Sequence, residues 1–320
     1  MIHPATEPAP AFDITRASHI ALTVADLGAS LDFYREVIGL LLSARDGDTA
    51  WLRGVEETAH HSLILRQGPV AACDYLGYRV RDAGQIDRAE RHLTDMGLSP
   101  RRVEVPEQGP SLRFSDPAGI PVELCARMST LPRRQNRTAS HRGAPALRYD
   151  HVQVQVPDVY RAAAFYTGLG FRISDCSRAP GDRLFSAFLH RKNNPHDLVL
   201  GCRQGPLMHH FAYVAETANL FRAGDIAADL GFGARVEYGP SRHGQDHAAF
   251  LYLRDPDGHR IELLGHPIQI VDAEDGTICR DVTERAQFVP WGPRAAQSYL
   301  TEASRFPGVE PGEATIRRTW

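Results

Sequence analysis

The chain has 320 residues, room for about two domains of ordinary size. Its 36 Lys and Arg against 39 Asp and Glu leave a formal charge of −3, with no basic block of the kind that binds nucleic acid and no acidic arm. No apolar run approaches the roughly 20 residues that span a bilayer, the opening lacks the charged and apolar regions of a signal peptide, and the five scattered cysteines (Cys73, Cys125, Cys176, Cys202, Cys279) contain no Cys-x-x-Cys pair, so the expected setting is cytoplasmic with reduced, mostly buried thiols.

After a Pro/Ala-rich arm (1–16), residues 18–42, SHIALTVADLGASLDFYREVIGLLL, predict a strand, a turn containing Asp, and an amphipathic helix. The helix carries the aromatic pair Phe33-Tyr34 and ends near glycine, which suits a left-handed C-cap. Further on, FSDPAGIPVELC (114–125) predicts two strands around an Asp-Pro-x-Gly turn, where Pro presets one dihedral and Gly accepts positive φ. The segment STLPRRQNRTASHRGAP (129–145) is polar, basic and aperiodic, and reads as a linker.

The same pattern then returns. Residues 150–173, DHVQVQVPDVYRAAAFYTGLGFRI, repeat the strand, turn and helix with Phe165-Tyr166 as the aromatic pair, and LRDPDGHRIELL (253–264) repeats the Asp-Pro-x-Gly element. The chain is therefore a duplication: units 17–130 and 148–266, a linker at 131–147, and a tail at 267–320. Trp291, Tyr299 and Phe306 suggest that the tail is an ordered extension packed on the second unit.

Within the second unit, a strand at 150–156, a helix at 158–168 and strands near 171–176, 184–190 and 197–203 make one βαβββ module. A strand at 208–215, a helix at 217–230 and strands near 235–239, 248–254 and 259–264 make another. The predicted fold is α+β: four such modules, paired so that two sheets each curl around a cleft.

Three residues in the second unit stand out against this frame. In YDHVQVQV the two-residue period puts His151, Gln153 and Gln155 on one face and Val152, Val154 and Val156 on the other. In HHFAYVA, His210, Ala212 and Val214 share a face, and in HRIELL, Glu262 projects opposite Ile261 and Leu263. All three can point into one cleft. Two imidazoles and one carboxylate form the facial arrangement that holds a non-heme iron(II) and leaves coordination positions open, as chemistry joining O2 to an organic substrate requires.

These segments resemble the vicinal oxygen chelate superfamily and, within it, the type I extradiol ring-cleaving dioxygenases. The resemblance spans about residues 17–266 and part of the tail. Its specific part is GPSRHGQDHAAFLYLRDPDGHRIELL (239–264), and RKNNPHDLVL (191–200), MHHFAYVA (208–215) and SYLTEAS (298–304) are similar to the homoprotocatechuate 2,3-dioxygenase branch. The resemblance implies that His151, His210 and Glu262 bind Fe(II), or Mn(II), which takes the same N/O ligands, and that His209 is a neighbour, not a ligand. It further implies His196 beside the O2 site as a proton carrier, His243 lining the substrate pocket, and Tyr252 hydrogen-bonding a catechol oxygen. The implied reaction is meta-cleavage of a catechol by O2 to a hydroxymuconic semialdehyde-type product, in a homo-oligomer resembling a tetramer. The first unit keeps His19 and Glu123 but has Tyr75 at the second-histidine position, so it is expected to be non-catalytic.

The match departs from that branch where arginines hold a substrate carboxylate. The corresponding positions here are Tyr238, Gln287 and Phe288, none of them cationic, although Arg285 and Arg294 are near in sequence. A bidentate arginine contact is not replaced by Tyr or Phe, which points to a catechol with a neutral or apolar substituent, or to a carboxylate held differently. Phe188 and Leu189 are candidate pocket walls. The rival readings are a Mn(II) ring cleaver, a glyoxalase-like isomerase and a non-catalytic binding protein built on the same module. The absence of HExxH argues against a zinc hydrolase.

Overall fold

The computed structural model describes residues 2–272 and 274–316. Of the expected tail, residue 273 and residues 317–320 lie outside the described residues. Four βαβββ modules follow one another along the chain. The first is β1 (Ile14–Val24), α1 (Leu27–Asp32, continued by a π-helical turn, Phe33–Val37), β2 (Leu41–Asp46), β3 (Thr49–Arg53) and β4 (Leu63–Gln67). The second is β5 (Ala72–Val80), α2 (Ala83–Asp95), β6 (Arg101–Val103), β7 (Ser111–Ser115) and β8 (Pro121–Cys125). The third is β9 (Ala146–Val156), α3 (Val159–Gly168), β10 (Arg172–Ala179), β11 (Arg183–His190) and β12 (Leu198–Cys202). The fourth is β13 (Leu207–Ala215), α4 (Thr217–Asp229), β14 (Val236–Arg242), β15 (Ala249–Arg254) and β16 (Arg260–Leu264). The extension adds β17 (Ile278–Asp281) and α5 (Gln297–Thr301).

Local chemistry explains where the helices begin and end. The Asp of each expected turn is the N-cap: Asp26 accepts from Ala29 N and Asp158 from Arg161 N. Gly39 and Gly170 follow the two helices with φ of +79° and +86°, as the C-cap reading requires. Two strands start earlier than the sequence pattern suggests. Ile14 pairs with Val80 and Ala146 with Ala215, so β1 reaches into the expected arm and β9 into the expected linker.

The modules pair into two mixed sheets, ordered β2-β3-β4-β1-β5-β8-β7-β6 and β14-β15-β16-β13-β9-β12-β11-β10-β17. In each sheet the first strands of two modules lie side by side and antiparallel at the centre, β1 with β5 and β9 with β13, and each also pairs in parallel with the last strand of its own module. A residue on β9, β13 or β16 therefore sits mid-sheet, where polar side chains of the concave face converge. Val152, Val154 and Val156 take the opposite face of β9 and enter the main hydrophobic core, which draws residues from both duplicated units.

The two repeated motifs meet each other across the duplication. Tyr34 Oη donates to Asp255 Oδ2 and Tyr166 Oη donates to Asp116 Oδ2, both at 2.9 Å. Each Asp of an Asp-Pro-x-Gly turn thus latches the helix of the other unit. Its second oxygen closes its own turn, Asp116 on Ala118 N and Ile120 N, Asp255 on Asp257 N and His259 N. All four side chains are buried, so the exchange satisfies polar groups that would otherwise be costly to bury.

The cysteines depart from expectation. Cys73, Cys125 and Cys202 are free and buried, but Cys176 and Cys279 form a disulfide. They are register partners in the parallel β10–β17 pair, which brings their sulfurs together; sequence separation had hidden this. The extension is fastened to the second sheet elsewhere too. Arg280 pairs with Asp175, Ser304 with His259 Nδ1, and the fully buried Arg260 donates to the carbonyls of Ser298 and Glu302.

Candidate metal centre and active-site cavity

His151 on β9, His210 on β13 and Glu262 on β16 converge from three adjacent strands, each at most 2% exposed. His151 Nε2, His210 Nε2 and Glu262 Oε2 form a triangle with edges of 3.2, 3.3 and 3.1 Å. A divalent metal about 2.1 Å from each atom would set ligand atoms about 3.0 to 3.4 Å apart, from octahedral to tetrahedral angles. The triangle has the size of a metal face.

The surrounding hydrogen bonds fix what those atoms offer. His151 Nδ1 lies 2.8 Å from Asp150 Oδ2, so its N–H donates there and Nε2 is left as a lone pair. Asp150 in turn accepts from Asn194 Nδ2, and Lys192 Nζ donates to its backbone oxygen at 2.5 Å. His210 Nδ1 lies 2.7 Å from His209 Nδ1, and His209 Nε2 lies 2.9 Å from Tyr299 O. The carbonyl can only accept, so His209 donates to it from Nε2 and accepts from His210 at Nδ1. His210 Nε2 is then also a bare lone pair. His243 Nε2 lies 2.9 Å from Glu262 Oε1 and holds that oxygen, while Glu262 Oε2 is buried without a hydrogen-bond partner. Two bare nitrogens and an orphaned carboxylate oxygen face one another. A divalent cation resolves that repulsion, and the residues fit one.

The charges agree. Burial alone would raise Glu262, but the imidazoles of His151, His210 and His243 hold it well below the usual carboxylate range. Burial would lower His151, yet Asp150 and Glu262 raise it to about 9; burial lowers His210 to about 4 against the pull of Glu262. Without a metal these charges hold one proton between His151 Nε2 and Glu262 Oε2; the two bare nitrogens and the free carboxylate oxygen are what a metal would meet on displacing it. Asp150 and His196 with His151 make a second acidic and imidazole cluster, but Asp150 is already engaged by His151, Asn194 and Lys192 and acts as support.

A cavity of about 620 Å³ opens over this face. His196 lines it, its ring 4.2 Å from that of His151 and 5.5 Å from that of Phe188. Its Nδ1 is buried without a partner, and burial, aided by the charge of His151, keeps the ring neutral. Tyr252 Oη lies 3.3 Å from His243 Nε2 and within reach of the Tyr299 hydroxyl and the Glu262 carboxylate, so the phenol stands at the edge of the triad and lines the cavity. Tyr238 stacks on Tyr252 with ring centres 6.0 Å apart, and both line the space with Phe188 and His243.

Leu189 departs from expectation. It alternates with Phe188 along β11 and enters the hydrophobic core instead of the cavity. Among the three positions singled out for the missing arginines, Tyr238 and Phe288 line the cavity and Gln287 does not. Arg203 and Arg285 also line it; Arg285 is exposed at the mouth, donating to Pro293 O at 3.1 Å, and Arg294 does not line it. The remaining wall carries the apolar Phe185, Val282, Val289, Ala295 and Leu300 together with polar residues that include Gln153, Gln155 and Gln245. Asp246, 3% exposed, faces the same space with Oδ2 unpartnered.

The sequence reading missed Asp150, Lys192, Asn194 and Tyr299 as supports. The dipeptides Asp150-His151 and His209-His210 carried a usable signal, since a ligand histidine needs an acceptor for its second nitrogen. Nothing in the sequence pattern places Tyr299 O or the 282–289 wall, because both reach the site from the extension.

The first sheet shows how the same frame is closed off. His19 Nε2 lies 2.9 Å from Glu123 Oε1, while Arg113 Nε donates to Glu123 Oε2 at 2.6 Å and its guanidinium lies 4.1 Å from the Tyr75 ring centre. Gln108 bridges Glu123 and His61. An arginine supplies the positive charge there, and among the described residues no metal-sized ligand group forms.

The family model for the glyoxalase/bleomycin resistance protein/dioxygenase superfamily matches residues 16–124 and 148–263, one match per duplicated unit, and the chain belongs to that superfamily. Its relatives narrow the class. The chain is 28% identical to the manganese-dependent 2,3-dihydroxybiphenyl 1,2-dioxygenase of Geobacillus genomosp. 3 across 82% of this chain and 88% of the relative. It is 26% identical to a metapyrocatechase of Pseudomonas sp. (strain CF600), across 78% and 86%. The structure superposes on homoprotocatechuate 2,3-dioxygenase of Arthrobacter globiformis with a TM-score of 0.92 at 34% identity, covering 98% of this chain and 99% of that one. A variant of the Brevibacterium fuscum enzyme gives a TM-score of 0.93 at 33% identity, covering 98% and 89%. The chain is an oxidoreductase, an extradiol ring-cleaving dioxygenase. No helix among the described residues is long and apolar enough to cross a membrane.

Proposed function

We propose that this enzyme uses Fe(II), held by His151, His210 and Glu262, to cleave a substituted catechol with O2 beside its two hydroxyls, giving a hydroxymuconic semialdehyde-type product. The observation that carries this reading is the triangle of two bare imidazole nitrogens and an orphaned carboxylate oxygen at the floor of a cavity large enough for a catechol. A metal bound there would supply one attachment point for both catechol oxygens and O2, and a path for electron density between ring and oxygen.

The chain's own residues perform the rest. Asp150 and His209 keep both imidazoles in the tautomer that presents Nε2. His243 donates to Glu262 Oε1 and leaves Oε2 for the metal. The Tyr252 hydroxyl donates to a catechol oxygen and fixes the ring. His196 is neutral and has a free nitrogen, so it takes a proton from the bound catechol and returns it as the ring opens. Phe188 and Phe185 exclude water from the reacting ring.

The substituent is neutral or apolar. Tyr238 and Phe288 offer no bidentate contact to a carboxylate; of the two arginines that line the cavity, Arg285 lies exposed at the mouth and is shared between Tyr238 and the Pro293 carbonyl, and the buried Asp246 carboxyl faces the same space. Mn(II) is the second reading of the metal, supported by the manganese dependence in the name of the Geobacillus relative. A homotetramer in the cytoplasm completes the proposal and rests on the family resemblance.

The test is kcat/KM for homoprotocatechuate, 4-ethylcatechol and 2,3-dihydroxybiphenyl. The alkyl and aryl catechols are expected to be preferred by about tenfold or more, the cost of desolvating a substrate carboxylate among apolar side chains and beside the Asp246 carboxyl. A clear preference for homoprotocatechuate overturns the substituent assignment.

A further inference from the structure

A second cavity, of about 790 Å³, is lined by β1 and β5 of the first sheet, the segment that joins the two units, the start of β9 and the loop carrying Lys192 and Asn194. Six cationic side chains line it against two carboxylates, Glu56 and Glu57. Three of the cations are already matched: Arg148 by Glu56, Arg81 by Asp13, and Lys192 by Asp197. Arg16, Arg79 and Arg133 form no ion pair with any carboxylate among the described residues. Glu57 is spent on Ser62 Oγ and the backbone nitrogens of Gly54 and Tyr149.

Arg16 and Arg79 are the informative pair. They are direct register partners on the antiparallel strands β1 and β5 and both are half-buried. Like charges opposite each other on neighbouring strands are destabilising, and a guanidinium taken from water needs acceptors. Arg16 spends one N–H on Ala17 O. Arg79 Nε is buried with no acceptor at all. Burial lowers the Arg79 guanidinium, the Cys125 sulfur opposes that, and the neighbouring Arg16 adds a smaller lowering. A sheet that places two arginines side by side in a concave polar space, one with an orphaned N–H and neither with a carboxylate partner among the described residues, is arranged to receive an anion.

We infer that this cavity binds a small dianionic oxyanion, phosphate or a dicarboxylate, between Arg16 and Arg79 with Arg133 at the mouth. Planar guanidinium forks match the oxygens of either group. The site is separate from the dioxygenase chemistry and does not depend on the metal or substrate assignment. Its wall nevertheless shares Lys192 and Asn194 with the support of Asp150, so ligand and metal centre have residues in common.

The experiment is isothermal titration of the full-length protein with inorganic phosphate, and separately with succinate, at constant ionic strength set by chloride. Melting temperatures are recorded in parallel. One saturable site per chain and a rise in melting temperature with phosphate or succinate are expected; which of the two binds tighter identifies the source of the oxyanion. Arg79→Gln and Arg16→Gln should each weaken binding by about tenfold or more, the loss of a charge-assisted hydrogen bond. Because each removes a like-charge neighbour, neither should lower the melting temperature without ligand. Arg88→Gln, on the exposed side of α2, should bind as the unmodified chain does. No saturable binding of either anion, or equal binding by Arg79→Gln, overturns the inference. If Arg79→Gln instead changes the oligomeric state and the unmodified chain binds neither anion, the occupant is a carboxylate of another copy, and the small-anion assignment fails.

Discussion

Asp150→Asn tests whether the residues behind the triad hold the metal. The Asp150 carboxylate has two jobs, accepting from His151 Nδ1 on one oxygen and from Asn194 Nδ2 on the other. An amide can keep only one of them. If its oxygen faces His151, its NH2 group faces the NH2 of Asn194, two donors in a fully buried space. If it turns the other way, an amide N–H opposes the His151 N–H, and the imidazole loses the tautomer that presents Nε2. In either orientation the negative charge that makes His151 a better donor to a cation is gone. Loss of such a support typically costs 10–100-fold in metal affinity, or about 1.4–2.7 kcal/mol. The assay is anaerobic competition for Fe(II), and separately Mn(II), against a chelator of known affinity, with near-UV circular dichroism to verify the fold. The account predicts weaker binding of both metals and near-normal turnover once metal is saturating. Unchanged affinity for both metals would falsify the assignment of Asp150 as the group orienting a ligand histidine.

Two further outcomes follow from the same geometry. His196→Gln should leave metal affinity unchanged, because His196 Nδ1 has no partner and the ring lies beside the triad, while kcat falls by about 10²–10⁴-fold; a chelator titration and an oxygen electrode separate the two, and an unchanged kcat refutes the proton-transfer role. In the closed site of the first sheet, burial lowers His19 but Cys125 and Glu123 raise it to about 9, and burial raises Glu123 but His19 and Arg113 lower it to about 2. The His19 contribution to stability is complete below about pH 6.5 and is lost as pH rises through about 9, whereas that of Glu123 is complete above about pH 4.5 and is lost as pH falls through about 2. Urea midpoints across pH should therefore show a plateau from about pH 4.5 to 6.5 from this pair, and His19→Gln should flatten the alkaline decline; a decline of the same size in that variant shows that other groups cause it.

How much the sequence revealed depended on the range of the signal. The alternation in β9 separates His151 from the valines by a local rule, and the strand obeys it; in β13 it separates His210 from Phe211, but a bulge beside His210 puts Met208, of the same parity, in the core. The repeat fixes which strands become neighbours, so Glu262 on β16 falls beside β13 without any information beyond the module. The Asp-Pro-x-Gly turns and the Tyr34 and Tyr166 helices were visible as separate motifs, but their pairing with each other is a contact between units and leaves no periodic trace. The same holds for Cys176 and Cys279, 103 residues apart and joined only because β17 adds to the sheet edge at β10. Phe188 and Leu189 show the limit of composition: both are apolar, and only strand parity decides which lines the cavity. The specificity wall was least legible, since Val282, Phe288 and Val289 arrive from an extension with little regular structure.

The most direct test of the central claim is metal content and O2 uptake on one preparation. The protein is loaded anaerobically with Fe(II), analysed for bound metal, and then given O2 with a catechol panel while the visible spectrum is recorded. The account predicts one tightly bound metal per chain, one O2 consumed per catechol and a yellow ring-opened product, with metal and uptake both lost in His210→Ala. Full activity in that variant, or no uptake with any catechol despite one bound iron, would contradict it.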